Sequence, residues 1–126
     1  MQLLLFASVG GAIGAGLRFL VNEAFAARGL LAFPWATLTV NVLGSFIMGV
    51  CAAMFVHRSH LSPELRTFVL TGVLGGFTTF SAFSMDVARL FEVGESTSAL
   101  VYILSSVAVS IAAVFLGLWV ARAVFS

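Results

Sequence analysis

The sequence predicts an all-α membrane protein with four spanning helices, the third of them broken mid-membrane. Three observations lead there. The chain has 126 residues, of which 61% are hydrophobic and only 9% charged, and its mean hydropathy is +1.15. A soluble domain of this length needs far more charge to cover its surface. The apolar residues gather into four runs, each near the ~20 residues that a bilayer core requires. Inside the third run lies TGVLGGFTTFSAFS, Thr71 to Ser84, a poor continuous helix. Gly72, Gly75 and Gly76 weaken it, and Thr78 and Thr79 are β-branched. Backbone released from a helix inside a bilayer survives only where protein or a polar cavity satisfies it. The stretch therefore reads as an ion or substrate site, with a Gly-rich packing kink as the plain alternative.

The composition also excludes several classes. Gln2–Ala15 lacks a basic leader and the apolar pattern runs on past Arg18, so it is not a cleavable signal. A single Cys51 rules out an intramolecular disulfide, and no Cys, His or carboxylate cluster has metal-ligand spacing. His57 and His60 flank Arg58 in a hydrophilic connection and read as solvated. No nucleophile–base pair supports an enzyme, and no basic run or motif points to nucleic acid. One transmembrane domain accounts for residues 1–126.

The first span is expected over 3–26. Gly10 and Gly14 form a GxxxG, which lets helix backbones approach closely. Arg18 is a charge deep in an apolar run; it either snorkels to the interface or faces a polar cavity. The second span, 35–56, opens with Pro34 and Trp35, a helix start with an interfacial aromatic. Asn41 shares a face with Gly44, Ser45 and Met48. Its amide can bond another helix, or its two donors can face an anion.

The third span, 65–91, follows Ser62–Pro63–Glu64, which resembles an N-cap, a Pro at the first helical position and an acidic first turn. Phe77, Phe80 and Phe83 fall at i, i+3 and i+6, an expected helical stripe beside the hydroxyls of Ser81 and Ser84. Aromatic edges are positive, so such a stripe can line an anion path without a formal charge. Asp86 and Arg89 have ion-pair spacing. The fourth span, 98–125, places Tyr102, Ser106 and Ser110 on one strip. Their hydroxyls can pass an ion along or bond back to their own helix.

The connections 27–34, 57–64 and 92–97 are short, so neighbouring spans run antiparallel. The chain has no Lys, and its six Arg divide evenly: Arg58, Arg66 and Arg122 at one side, Arg18, Arg28 and Arg89 at the other. The positive-inside rule has nothing to act on. Such a chain can insert both ways, and opposite copies can pair. Four spans are also few for enclosing a polar path, which favours an oligomer.

Taken together, GGFTTFSAFS, TLTVN at Thr37–Asn41 and GAGLRF at Gly14–Phe19 resemble the Fluc/CrcB family of fluoride channels, over the whole chain. The resemblance implies a passive fluoride channel that relieves fluoride toxicity. It implies a multi-pass protein of a bacterial-type inner membrane, built as an antiparallel, dual-topology homodimer with two pores at the subunit interface. Two broken third helices are expected to cross at its centre, where main-chain oxygens of Gly75 and Thr78 would hold a structural sodium ion. Phe80 and Phe83 match the family's pore phenylalanines and Asn41 its pore asparagine. Ser81, Tyr102, Ser106 and Ser110 match its hydroxyl track, and Arg18 an arginine near the pore entrance. Ala82 stands where the family commonly has Thr, which removes a hydroxyl near the path. Asp86 stands where many members have Glu, a longer reach.

Two competing classes fit the residues less well. A proton-coupled small multidrug-type transporter needs a membrane carboxylate in the first span, where the only one is Glu23 near its end. A non-conducting assembly subunit needs small-residue packing faces but no hydroxyl and phenylalanine motif.

Overall fold

The computed structural model describes residues 1–125, and the regular structure among them is entirely helical. Helices α1 (Gln2–Ala27) and α2 (Trp35–His57) are continuous. The third span is composite. Helix α3 (Pro63–Arg66) runs into a π-helical segment, Thr67–Leu74, and then into α4 (Gly75–Phe77). Thr78 (φ −84°, ψ 157°) and Thr79 (φ −154°, ψ 120°) are extended, and α5 (Phe80–Glu92) follows. Helix α6 (Ser96–Phe125) completes the described chain. Four lengths, Gln2–Ala27, Trp35–His57, Pro63–Glu92 and Ser96–Phe125, are long and apolar enough to cross a membrane.

Local chemistry sets the ends of these elements. Ser62 caps α3 by accepting from the Leu65 amide at 3.1 Å, with Pro63 in the first turn. Gly29 and Gly94 take left-handed φ values of 70° and 81°. They let the chain reverse so that Leu30 N–H reaches Phe25 O at 3.0 Å and Glu95 N–H reaches Leu90 O at 2.8 Å.

Packing organises the protomer as two tight helix pairs. Helix α1 lies against residues 63–77: a Cβ on Gly10 would stand 2.5 Å from Phe68 O, and one on Gly14 2.1 Å from Val73 O. Helix α2 lies against α6 in the same way, since a Cβ on Gly49 would meet Val114 O at 2.2 Å and one on Gly117 would meet Phe46 O at 2.2 Å. Contacts this close need hydrogen in place of a side chain. At the far end of the pairs, Arg58 lies over the Phe125 ring, 5.7 Å from its centroid, and ties the end of α2 to the end of α6. Helix α5 is held by a separate cluster of Phe83, Leu90, Ala99 and Tyr102.

One expectation needs correcting. Phe77 does not share a helical stripe with Phe80 and Phe83. Two extended residues separate α4 from α5 and reset the register, so Phe77 is buried while Phe80 is 76% exposed.

Candidate functional site

The Thr78–Thr79 step is held from two sides. From α2, Asn41 Oδ1 accepts the Thr79 amide at 2.8 Å, and Asn41 Nδ2 donates to the Thr79 carbonyl at 3.0 Å. The backbone N–H can only donate, so it fixes which way the side-chain amide points. One amide side chain thus supplies both bonds that a neighbouring extended strand would give this residue. From α1, Arg18 Nε donates to the Gly76 carbonyl at 3.1 Å. Gly44 lets α2 come this close, because a Cβ there would stand 2.4 Å from Thr78 Cγ2.

The step is also bonded from within. The Thr78 amide and its Oγ1 both donate to Leu74 O, at 3.1 and 3.0 Å. Thr79 Oγ1 accepts the Ala82 amide at 3.1 Å and so caps α5. An amide carries one proton. With Thr79 N–H given to Asn41 and Ala82 N–H given to Thr79 Oγ1, the carbonyls of Gly75 and Thr78 lose the donors that a continuous helix would supply four residues on.

Beside the step lies a cleft of about 390 Å³. Asn41, Thr79, Phe80, Phe83, Ser106 and Ser110 all line it. The Phe80 and Phe83 rings lie 5.5 Å apart at 50°. The Ser106 and Ser110 hydroxyls are buried and have no hydrogen-bond partner among the described residues. Other serines do bond back to their own helix: Ser8 to Leu4 O, Ser84 to Phe80 O and Ser105 to Val101 O. Ser106 and Ser110 do not bond back to their own helix, and they line the cleft wall. A larger groove of about 680 Å³ opens on another face of α2 and α6, but its lining is hydrocarbon apart from Thr39 and the Trp35 indole.

The rest of the expected set is distributed around this cleft. Tyr102 is fully buried, and its hydroxyl donates to Asp86 Oδ2 at 2.9 Å. Its ring packs on Phe83 with centroids 5.1 Å apart. Its hydroxyl is bonded to α5, and it is not among the residues that line the cleft. Asp86 makes only a long contact to Arg89, 4.0 Å. Ser81 is exposed outside the cleft, 3.3 Å from Thr79 Oγ1. Arg18 is part-buried at Gly76, on the α1 side. Asn41 offers fewer donors than the sequence suggests, since one of its two amide protons is committed to Thr79.

Sequence reasoning missed Thr79 and the Tyr102–Asp86 bond. A hydroxyl residue immediately before the amphipathic run of α5 is an N-cap signal, and it was available in the sequence. The Tyr102–Asp86 contact joins two different spans, and no local spacing announces it.

Residues 5–118 match the family described as CrcB-like protein, Camphor Resistance (CrcB). A protein of Rhizobium meliloti (strain 1021) named fluoride-specific ion channel FluC is 50% identical over 123 residues, covering 98% of both chains. One of the same name from Chelativorans sp. (strain BNC1) is 53% identical over 125 residues, covering 98% of this chain and 99% of its own. That from Agrobacterium fabrum is 48% identical over 118 residues, or 94% of each. Four apolar helices, a clefted third span and near full-length similarity agree: this chain is a multi-pass integral membrane protein and belongs to the CrcB family.

Proposed function

We propose that this chain is a fluoride-selective channel that lets fluoride leave the cell passively across the inner membrane and so relieves fluoride toxicity. The reading rests above all on the cleft, where two buried serine hydroxyls without partners face phenylalanine rings beside an asparagine amide. A buried, unpaired hydroxyl is unfavourable unless something accepts from it. A small, strongly hydrated anion suits that role, because a pore must replace its water with donors. Ser106, Ser110 and the second Asn41 proton supply donors, and the positive edges of Phe80 and Phe83 add attraction without a fixed charge. A Lys or Arg in the same place would hold the ion too tightly for conduction.

The functional unit is an antiparallel homodimer, and the third span is interrupted within the membrane at Thr78–Thr79. Phe80 is 76% and Met85 71% exposed, with Ser81 and Ser84 exposed on the same helix. A polar cleft open to lipid is unfavourable, and a second copy would close its open side. The Gly75 and Thr78 carbonyls, left without helical donors, suit a hard cation such as sodium, which takes oxygen ligands. Two oxygens from one chain are too few for such a shell, and a second copy related by twofold symmetry would supply two more. A cation bound there would add positive charge to a site that passes anions.

The test is efflux from liposomes containing the purified protein. Fluoride should leave rapidly and chloride hardly at all. Comparable chloride release, or fluoride flux that requires a proton gradient, would overturn the channel reading in favour of coupled transport.

A further inference from the structure

We propose that Arg18 and Asn41 form a two-sided clamp on the Thr78–Thr79 step, and that Arg18 acts through a hydrogen bond and not through its charge. The proposal rests on the channel reading above and adds positioning residues to it. The geometry is specific. Arg18 reaches the backbone with Nε, the nitrogen nearest its stem, at 3.1 Å from Gly76 O. Asn41 approaches from the opposite helix and takes both polar groups of Thr79. The two contacts fall on backbone groups at the two ends of the interval 76–79.

Chemistry gives the clamp its purpose. Extended backbone between two helices leaves groups that lipid cannot satisfy, and each must find a partner. Gly76 O loses its usual arrangement because the chain turns extended two residues later. Arg18 supplies the missing donor. Thr79 has no strand beside it, and Asn41 replaces one. Once Gly76 O and the Thr79 pair are occupied, the carbonyls of Gly75 and Thr78 remain available. The clamp therefore selects which oxygens face the proposed cation, and it fixes where α5 begins and where Phe80 and Phe83 point. Packing leaves Gly75 itself unconstrained, because a Cβ there would meet nothing nearer than Leu70 O at 3.7 Å.

The side chains of Gln and Met separate hydrogen bond from charge. Gln places an amide nitrogen at the same distance along the side chain as Arg Nε, without a formal charge. Met matches the length and has neither donor nor charge. A part-buried bond of this kind is worth roughly tenfold or more in an equilibrium. Fluoride efflux from Arg18→Gln should therefore exceed that from Arg18→Met by about tenfold or more. In Arg18→Met and Asn41→Ala, the sodium concentration giving half-maximal flux should rise by a similar factor; in Arg18→Met, whose site lies on the α1 side away from the cleft lining, preference for fluoride over chloride is retained. If Gln and Met fall equally, Arg18 works by charge and the proposal fails. It fails equally if neither substitution reduces flux, or if selectivity shifts and sodium dependence does not.

A second measurement is independent of conduction. Amide hydrogen exchange across residues 77–82 should speed up by roughly tenfold in Arg18→Met and Asn41→Ala and be restored in Arg18→Gln. Unchanged exchange in all three would overturn the clamp. If the unsubstituted protein passes no fluoride but the exchange pattern appears, the channel reading fails and the clamp stands.

Discussion

Ser105 and Ser106 are neighbours on α6 with opposite fates. Ser105 donates to Val101 O at 2.6 Å, whereas the Ser106 hydroxyl, like that of Ser110, meets no partner among the described residues. The comparison makes a matched pair of substitutions. Ser106→Ala combined with Ser110→Ala should lower fluoride flux by roughly tenfold or more, because donors to the ion disappear. Ser105→Ala should stay within about twofold, because its hydroxyl only repeats a bond the backbone already makes. Efflux assays on matched protein amounts check both. Equal effects would remove the serine track from the mechanism. Tyr102 calls for a different readout. Its hydroxyl holds Asp86, so Tyr102→Phe leaves a carboxylate in a half-buried position with only the distant Arg89 for company. Stability should fall by about 1–3 kcal/mol, measured by denaturant unfolding in detergent. A loss of flux with unchanged stability would show that Tyr102 acts on the ion instead.

At the scale of elements, two adjacent glycines separate what one protomer needs from what an assembly needs. A Cβ on Gly76 would stand 2.5 Å from Gly11 O, a backbone atom that cannot yield cheaply. Gly76→Ala should therefore weaken the α1 contact and destabilise the protomer itself, by about 1–3 kcal/mol in the manner of overpacking. A Cβ on Gly75 meets only Leu70 O at 3.7 Å, ordinary contact. Gly75→Ala should leave protomer unfolding unchanged, and any loss of dimer or flux in Gly75→Val must then come from the partner copy. Unfolding and size-exclusion measurements on both variants decide this. If both substitutions destabilise the protomer alike, Gly75 has a packing role inside one chain. The same elements show what the sequence made legible. Four apolar runs and the Ser62–Pro63 helix start were readable because length, hydropathy and capping are local signals. Small residues at Gly10 and Gly14 correctly announced a close helix contact. The exact pair of extended residues within Thr71–Ser84 was not readable, because glycine and β-branched threonine weaken a helix without saying where it stops. Nor was the reset between Phe77 and Phe80, which follows only from the backbone angles of Thr78 and Thr79. Asn41 left two readings open, and the structure gives its amide mainly to Thr79 because a strandless extended residue has no nearer partner.

For the whole molecule, the arginine count decides how copies enter the membrane. Three arginines lie toward each side in sequence, but Arg18 is engaged with Gly76 O inside its span and is not an interfacial charge. The effective balance is three against two, with Arg58, Arg66 and Arg122 opposed by Arg28 and Arg89. Orientation depends on Lys and Arg near the span ends, while Asp and Glu contribute little. A difference of one is a weak bias, so both orientations should be populated, which is what the proposed antiparallel dimer requires. Reporters fused after the last residue should register on both sides of the membrane in comparable amounts. Adding two or three Lys to the connection 57–64 should drive insertion to one orientation, with that connection on the cytoplasmic side. Flux should then collapse, because parallel copies cannot pair, and return when an oppositely biased variant is expressed alongside. Arg18→Gln should leave the reporter ratio as it is, since Arg18 takes no part in the count. A single fixed orientation in the unaltered chain, together with full fluoride flux, would sink the antiparallel assembly and leave the cleft to be closed by some other arrangement of copies.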